Sequence, residues 1–218
     1  MKKLLLTIII LGACLVGSSQ NWDSVRVGNL DVDSIMLGGV KIWEKKSTTP
    51  VFDEVIIGTQ TWMAKNLDID DGLGGIYAYN NDEGNVATYG RLYTWDAAVR
   101  VAASIDGWHL PSDAEWTTLT TYLGGESVAG GKLKETGLVH WASPNTGATN
   151  ETGFTALPGG YRFTNGTFGS FGLTGYWWSA AESSATSAWY YYLNYYYSKV
   201  IRDGTDKEVG FSVRLIKD

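Results

Sequence analysis

The chain has 218 residues, a formal net charge of −6, 27 glycines, four prolines and a single cysteine. That length suits one main domain plus a short appendage, and the glycines announce many turns without the composition of a disordered chain. An acidic chain with no basic block lacks the charge to hold a phosphate backbone, so no nucleic-acid partner is expected.

Residues 1–20 read as a targeting segment. Lys2-Lys3 is a positive n-region, and Leu4 to Leu11 is an apolar run too short to span a bilayer as a mature helix. Two endings compete. Leu11-Gly12-Ala13-Cys14 resembles a bacterial lipobox, with Cys14 as the lipidated first residue, although the apolar Leu15-Val16 prolongs the h-region and weakens that reading. The alternative is ordinary cleavage near Gly17-Ser18-Ser19-Gln20. Either ending predicts an exported protein, held at the cell surface or outer membrane by a lipid anchor or else secreted. Cys14 is the only cysteine, so the mature domain has no disulfide, no thiol nucleophile and no thiolate metal site.

Residues 21–46 form a short β segment. Val25 to Leu30 and Ile35 to Trp43 read as strands around turns, too small a unit to bury a core alone. Pairing with itself as a hairpin, docking on the main domain and mediating assembly all stay open for it. Residues 47–50 are the linker, and the main domain follows over 51–218. Val55 to Met63 predicts a hairpin with a Gly-containing turn. Asn66 to Asn85, rich in Gly, Asn and Asp, reads as loop. Leu92, Trp95, Val99 and Ala102 fall at helical steps and predict a helix over Leu92 to Ala103. A second helix has a clear start: Ser112 as N-cap with Glu115 three residues on makes a capping box. Trp116, Leu119 and Leu123 form its buried stripe, and Gly124-Gly125 ends it. From Ala129 on the pattern is short segments and turns, with a last strand over Val209 to Ile216.

Aromatic residues concentrate near the end. Between Tyr176 and Tyr197 lie ten of the 29 aromatics, and six tyrosines occupy the eight positions from Tyr190 to Tyr197. A buried phenol needs a hydrogen-bond partner, so six such residues cannot all be core. Alternation along a strand puts Trp189, Tyr191 and Leu193 on a core face and Tyr190, Tyr192, Asn194 and Tyr196 on an exposed one. Exposed tyrosine among Ser, Asn and Gly is the chemistry of a contact surface. The competing reading is a tyrosine-rich sheet with no ligand.

Six separated motifs carry a resemblance. They are Gly58 to Leu67 (GTQTWMAKNL), Tyr89 to Trp95 (YGRLYTW), Gly107 to Trp116 (GWHLPSDAEW), Gly153 to Arg162 (GFTALPGGYR), Tyr176 to Ser179 (YWWS) and Gly210 to Arg214 (GFSVR). In this order, over about residues 51–218, the chain resembles the Fibrobacter succinogenes major paralogous domain, a family of exported and often lipid-anchored bacterial proteins. The resemblance implies an α+β, C-type lectin-like fold, with two helices packed on a small twisted antiparallel sheet. It implies no established catalytic activity. The chain departs from the family where cysteine is common: Ala78 and Leu215 stand near those sites, so packing alone must supply the stability. Tyr190 to Glu208, followed by a constant-looking end, also resembles the diversified segment of variable proteins from diversity-generating retroelements; an ordinary paralogue stays the alternative.

Little else in the chain points to chemistry. His140 has no partner at ligand spacing, and the family tolerates Arg at the position of His109. Ser112 or Ser179 could enter a triad only on paper, without a nucleophile elbow. The formylglycine-type relatives of the fold oxidise through cysteines, which this domain lacks. Acidic turns at Asp68 to Gly72 and Asn80 to Asn85 match no spaced calcium loop. No enzyme activity, metal or cofactor is therefore expected. Arg91, Arg162 and Arg214 read as guanidinium groups pinning loops, and Trp62, Trp95, Trp108, Trp116, Trp177 and Trp178 as core. The expected function is recognition of an extracellular protein or glycan. The candidate contact residues are Tyr190, Tyr192, Asn194, Tyr196, Lys199, Ile201, Asp203, Thr205, Asp206 and Glu208. A cell-wall carbohydrate module and a surface protein with no specific ligand are the alternatives.

Overall fold

The computed structural model describes residues 50–218 throughout and, before them, four short strands. The targeting segment with Cys14 and the linker up to residue 49 lie outside the described residues. The chain divides into two units, Met1–Thr49 and Pro50–Asp218. In the first, β1 (Val25–Val27) pairs antiparallel with β2 (Leu30–Val32), and β3 (Ser34–Leu37) with β4 (Val40–Glu44). Strands around turns were expected here, and hairpin pairing was one of the open readings; the four strands pair as two hairpins.

In the second unit β5 (Glu54–Ile57) and β6 (Gln60–Met63) form the predicted hairpin. Gly58 turns it at φ 64°, where a side chain would be strained. Then come β7 (Ile76–Tyr77), α1 (Val86–Tyr89), β8 (Leu92–Tyr93), α2 (Trp95–Ala103), β9 (Trp108–His109), α3 (Asp113–Tyr122) and α4 (Glu126–Leu133). The rest is β10 (Tyr161–Arg162), β11 (Phe168–Gly169), β12 (Thr174–Glu182), β13 (Ser187–Asn194), β14 (Val200–Asp206) and β15 (Ile216–Lys217). The architecture is mixed α+β with small antiparallel sheets. One sheet runs β5-β6-β15-β9 and joins the two ends of the unit; another runs β12-β13-β14.

Four differences from the sequence-based expectation have physical causes. The first concerns α2, which starts at Trp95, because Leu92-Tyr93 pairs with Ile76-Tyr77 and Thr94 caps the helix by accepting from the Ala97 N–H at 3.4 Å. Its buried side is Trp95, Ala97, Ala98, Val101 and Ala102, while Val99 is 37% exposed. Second, the described residues form four α-helices rather than two, counting the single turn of α1. Third, α4 contains Gly130-Gly131, which hid it from a propensity reading. A methyl group at either glycine would strike a backbone carbonyl, that of Lys199 or of Gly147, so the glycines let the helix touch the chain directly. Fourth, Val209 to Ile216 is no single strand. Gly210, Phe211 and Ser212 bridge in turn to Arg162, Tyr93 and Trp177, and only Ile216–Lys217 enters a sheet.

α3 begins as its sequence predicts. Ser112 Oγ accepts from the Glu115 N–H at 3.3 Å, and Glu115 Oε2 accepts from the Ser112 N–H at 2.8 Å. The helix brings Trp116 against Trp62 (5.1 Å between centroids) and against Tyr191, stacked at 4.7 Å. Trp62, Trp116, Trp141, Phe154, Trp177, Tyr191 and Leu193 belong to one buried cluster. Tyr93, Trp95, Trp108, Trp178 and Phe211 belong to another. The β12-β13-β14 sheet contributes to both.

Two buried cations lock the loops. Arg214, 1% exposed, donates to Asn66 Oδ1 (2.9 and 3.1 Å) and to the carbonyls of Met63 and Phe154. Asn66 Oδ1 also accepts from Trp177 Nε1 at 2.9 Å. Lys134, fully buried, donates to the carbonyls of Thr146, Asn194 and Tyr197 at 2.9–3.0 Å. Burial pulls the pKa of Arg214 down to about 9 and that of Lys134 to about 8. Carbonyl and amide dipoles are what holds each charge, so both side chains act as clamps. Arg91, with its side chain 14% exposed, pins a loop as expected: Nε donates to the Asp68 carbonyl at 3.1 Å, and Nη1 and Nη2 reach the two oxygens of Glu83 at 3.0 and 2.7 Å. Arg162 stacks 3.8 Å over the ring of Tyr77.

Candidate functional site

The three-stranded sheet is aromatic on both sides, and its register sorts the tyrosines. Trp177 lies opposite Tyr191, and Tyr191 opposite Arg202; Tyr176 lies opposite Tyr192, and Tyr192 opposite Ile201. Directly opposed residues share a face. One face therefore carries Trp177, Trp189, Tyr191, Leu193 and Arg202, and the other Tyr176, Trp178, Tyr190, Tyr192, Ile201 and Asp203.

The first face is closed. Tyr191 and Leu193 are buried as expected, whereas Trp189 is half-buried beneath the Arg202 guanidinium, 3.4 Å from its ring centroid. Asp113, the first residue of α3, gathers the polar atoms. Its carboxylate accepts from Ser179 Oγ at 2.8 Å, Tyr191 OH at 3.3 Å and Arg202 Nε at 3.0 Å.

The second face is partly open. Tyr190, Tyr192 and Asn194 are half-buried rather than exposed. Tyr190 leans on Phe211 at 4.7 Å, and Tyr176 stacks on the same ring at 4.9 Å with 7° between planes. Tyr190 and Tyr192 are 6.0 Å apart, Tyr176 and Tyr192 5.7 Å, and Tyr161 of β10 meets Tyr176 edge-on at 5.6 Å. Among the described residues Tyr161, Tyr190 and Tyr192 make no side-chain hydrogen bond. Tyr176 OH has only a 3.5 Å contact to Ser170 Oγ. Burial first and the Asp203 carboxylate second push the Tyr190 and Tyr192 phenols above the usual tyrosine range. The result is a slab of packed rings in which the hydroxyls of Tyr161, Tyr190 and Tyr192 have no partner among the described residues.

The candidate residues fall into four groups. Tyr190, Tyr192, Ile201 and Asp203 come together on this face, with Thr205 beyond them opposite Ala188. Asn194 is occupied internally: Nδ2 donates to Thr174 Oγ1 at 3.0 Å and Oδ1 accepts from the Tyr196 N–H at 2.9 Å. Tyr196, 58% exposed, stands in the turn after β13, so strand alternation does not reach it. Lys199 is in the same connection, 4.9 Å over the ring of Tyr197. Asp206, opposite Ser187, and Glu208 lie at the far end of β14, where Asp206 accepts from the Glu208 N–H. The sequence reading missed Tyr161, Tyr176 and Phe211 as parts of this face. Tyr176 was within reach of strand alternation two residues before Trp178; Tyr161 and Phe211 arrive from other segments and carry no local signal.

Other groups are engaged structurally. His109 Nε2 meets Glu115 Oε1 at 2.7 Å and its Nδ1 meets Asp218 Oδ1 at 2.6 Å. Burial works against the imidazolium, but the bonds to Glu115 and Asp218 outweigh it and raise the pKa. His140 Nδ1 meets Glu135 Oε2 at 2.7 Å. Ser112 donates to Glu115 and Ser179 to Asp113, so neither faces a histidine. In the first acidic turn Asp70 accepts from the Gly72 N–H and Asp71 from the Leu73 N–H, and Asp71 pairs with Arg100. Among the described residues no group of three or more His, Cys, Asp or Glu could hold a metal ion, and no helix is long and apolar enough to cross a membrane. A cleft of about 260 Å³ lies elsewhere, between Pro50–Asp53, Met63–Ile69 and Val86–Gly90, with the exposed Lys65–Asp53 pair at its rim.

Neither the curated proteins nor the solved structures contain a match to the chain. The profile of the Fibrobacter succinogenes major domain, by contrast, matches residues 55–217, which takes in both the clamp residues and the tyrosine face; the chain belongs to that family.

Proposed function

We propose that the protein is an exported, non-catalytic recognition protein with a C-type lectin-like domain, whose binding surface is the tyrosine face of the β12-β13-β14 sheet. The observation that carries this reading is the contrast in hydroxyl use. Tyr191 is buried and bonded, while Tyr161, Tyr190 and Tyr192 are half-buried with hydroxyls that the described residues leave unbonded. Rings held by neighbours at 4.7–6.0 Å lose little entropy on binding, and their polar edges are free to meet a partner. The partner is an extracellular protein or glycan. Export rests on the leader sequence, and anchoring on Cys14; Cys14→Ser should abolish incorporation of a lipid label. Diversification of Tyr190 to Glu208 would place a reverse-transcriptase gene and a near-copy of the coding segment beside the gene.

The test is a panel of cell-surface proteins and glycans presented to the wild type and to the Tyr190→Ala/Tyr192→Ala variant. Loss of about 2 kcal/mol or more of binding in a variant that keeps its circular dichroism is the expected result, the scale of aromatic hot spots. Unchanged binding in the folded variant would move the site off this face.

A further inference from the structure

Neighbouring residues of β14 point to opposite sides of the sheet, so Arg202 and Asp203 place a cation on one face and a carboxylate on the other. On the closed face three parts meet: the Trp189 ring, the Arg202 guanidinium over it, and the Asp113 carboxylate that Arg202 Nε reaches at 3.0 Å. The tyrosine face supplies two of the same three parts. Tyr190 is directly across from Asp203, with Tyr192 and Tyr176 each 6.0 Å from Tyr190. The Asp203 carboxylate accepts one hydrogen bond, from the Gly204 N–H at 2.8 Å. No lysine or arginine among the described residues pairs with it: Arg162 is over Tyr77, Lys199 over Tyr197, and Lys207 on Glu182 at 2.9 Å.

We propose that the tyrosine face takes an arginine side chain of a protein partner, its guanidinium stacking on the Tyr190–Tyr192 rings and pairing with Asp203. The inference rests on the recognition reading and adds the chemistry of the ligand. Guanidinium groups already lie over aromatic rings three times in this domain, at Tyr77, Phe154 and Trp189. The surroundings suit a basic partner. Residues 50–218 carry eleven Lys and Arg against nineteen Asp and Glu, and Asp206 and Glu208 continue the negative charge beyond Asp203. β14 is also an edge strand of its sheet, so an extended segment can run alongside it.

The full chain would be titrated with a Gly/Ser peptide carrying one central arginine, and with the same peptide carrying citrulline, its neutral near-isostere. Wild type should bind the arginine peptide about tenfold or more tightly than the citrulline peptide, with the preference falling as salt rises. Asp203→Asn should remove most of that preference while leaving the fold intact; Asp53→Asn, an exposed carboxylate at the separate cleft, should not. Equal binding of the two peptides, no binding of either, or a preference that survives Asp203→Asn overturns the arginine assignment and leaves the tyrosine face to be judged by the panel. Arginine-peptide binding that survives Tyr190→Ala/Tyr192→Ala overturns the tyrosine face as well.

Discussion

The two faces of the β12-β13-β14 sheet are built from the same residue types and differ in how their polar atoms are used. On the α3 side Tyr191 stacks on Trp116 and its hydroxyl ends on Asp113, which Ser179 and Arg202 also reach. On the other side Tyr176, Tyr190 and Tyr192 pack on Phe211 and on one another, with hydroxyls that contribute almost nothing to internal bonding. Aromatic content by itself therefore does not separate core from contact surface. A tyrosine belongs to the core when its ring and its hydroxyl are both satisfied, and to a surface when only the ring is.

The sharpest way to break this contrast is to empty the closed face. Trp116→Ala should cost roughly 3–5 kcal/mol, the usual loss for a fully buried large aromatic. It removes the stacking partner of Tyr191 and the neighbour of Trp62. Urea unfolding would measure it, and a loss under about 1 kcal/mol would mean that α3 does not anchor the sheet.

Lys134→Met tests the clamp at the end of β13. The substitution relieves a buried charge but leaves the carbonyls of Thr146, Asn194 and Tyr197 without their donor. A destabilisation of about 1–3 kcal/mol is expected, with faster amide exchange at Tyr195 to Ser198. Stability equal to wild type would show that hydration replaces the clamp.

A pair of single-atom changes then compares the faces directly. Tyr191→Phe should cost about 1 kcal/mol, because it removes the hydroxyl that reaches Asp113. Tyr190→Phe should stay within about 0.5 kcal/mol. Equal losses in thermal melts would mean that the Tyr190 hydroxyl has an internal partner after all.

The smallest expected effect is a pH dependence at the start of α3. The His109 pKa is raised, so its contribution is complete below the ordinary value of 6.5 and is lost as pH rises through the raised one. Glu115 shifts the other way. Burial opposes its charge, but bonds from Ser112 and His109 prevail, and its contribution is present above 4.5 and lost as pH falls through the lowered pKa. The Tm difference between wild type and His109→Gln should therefore be largest between these two values and shrink on either side. Both groups are partly exposed, so the effect should stay below about 1 kcal/mol. A difference that does not vary with pH would assign the loss to packing.

Much of this was legible from short-range signals. The capping box at Ser112 and Glu115, the Val55 to Met63 hairpin and the Tyr191/Leu193 side of β13 follow from local chemistry that the structure repeats. Other parts were hidden by long-range contacts. Gly130-Gly131 looks like a break until Lys199 and Gly147 are placed against it, and Leu92-Tyr93 looks helical until it pairs with Ile76-Tyr77. The candidate face shows both cases. Tyr190 and Tyr192 could be read from alternation, but Tyr196 lay past the end of the strand, and Asn194 was claimed by Thr174 and the Tyr196 N–H.

The sequence by itself determined the family, the tyrosine surplus near the end of the chain and the alternation that divides it, because motif order and a period of two are properties of neighbouring residues. Only the tertiary structure decided which tyrosines are complete. Asp113, Phe211, Tyr161 and Asp203 come from separate segments, and whether a phenol finds a partner depends on which of them the fold carries to its edge.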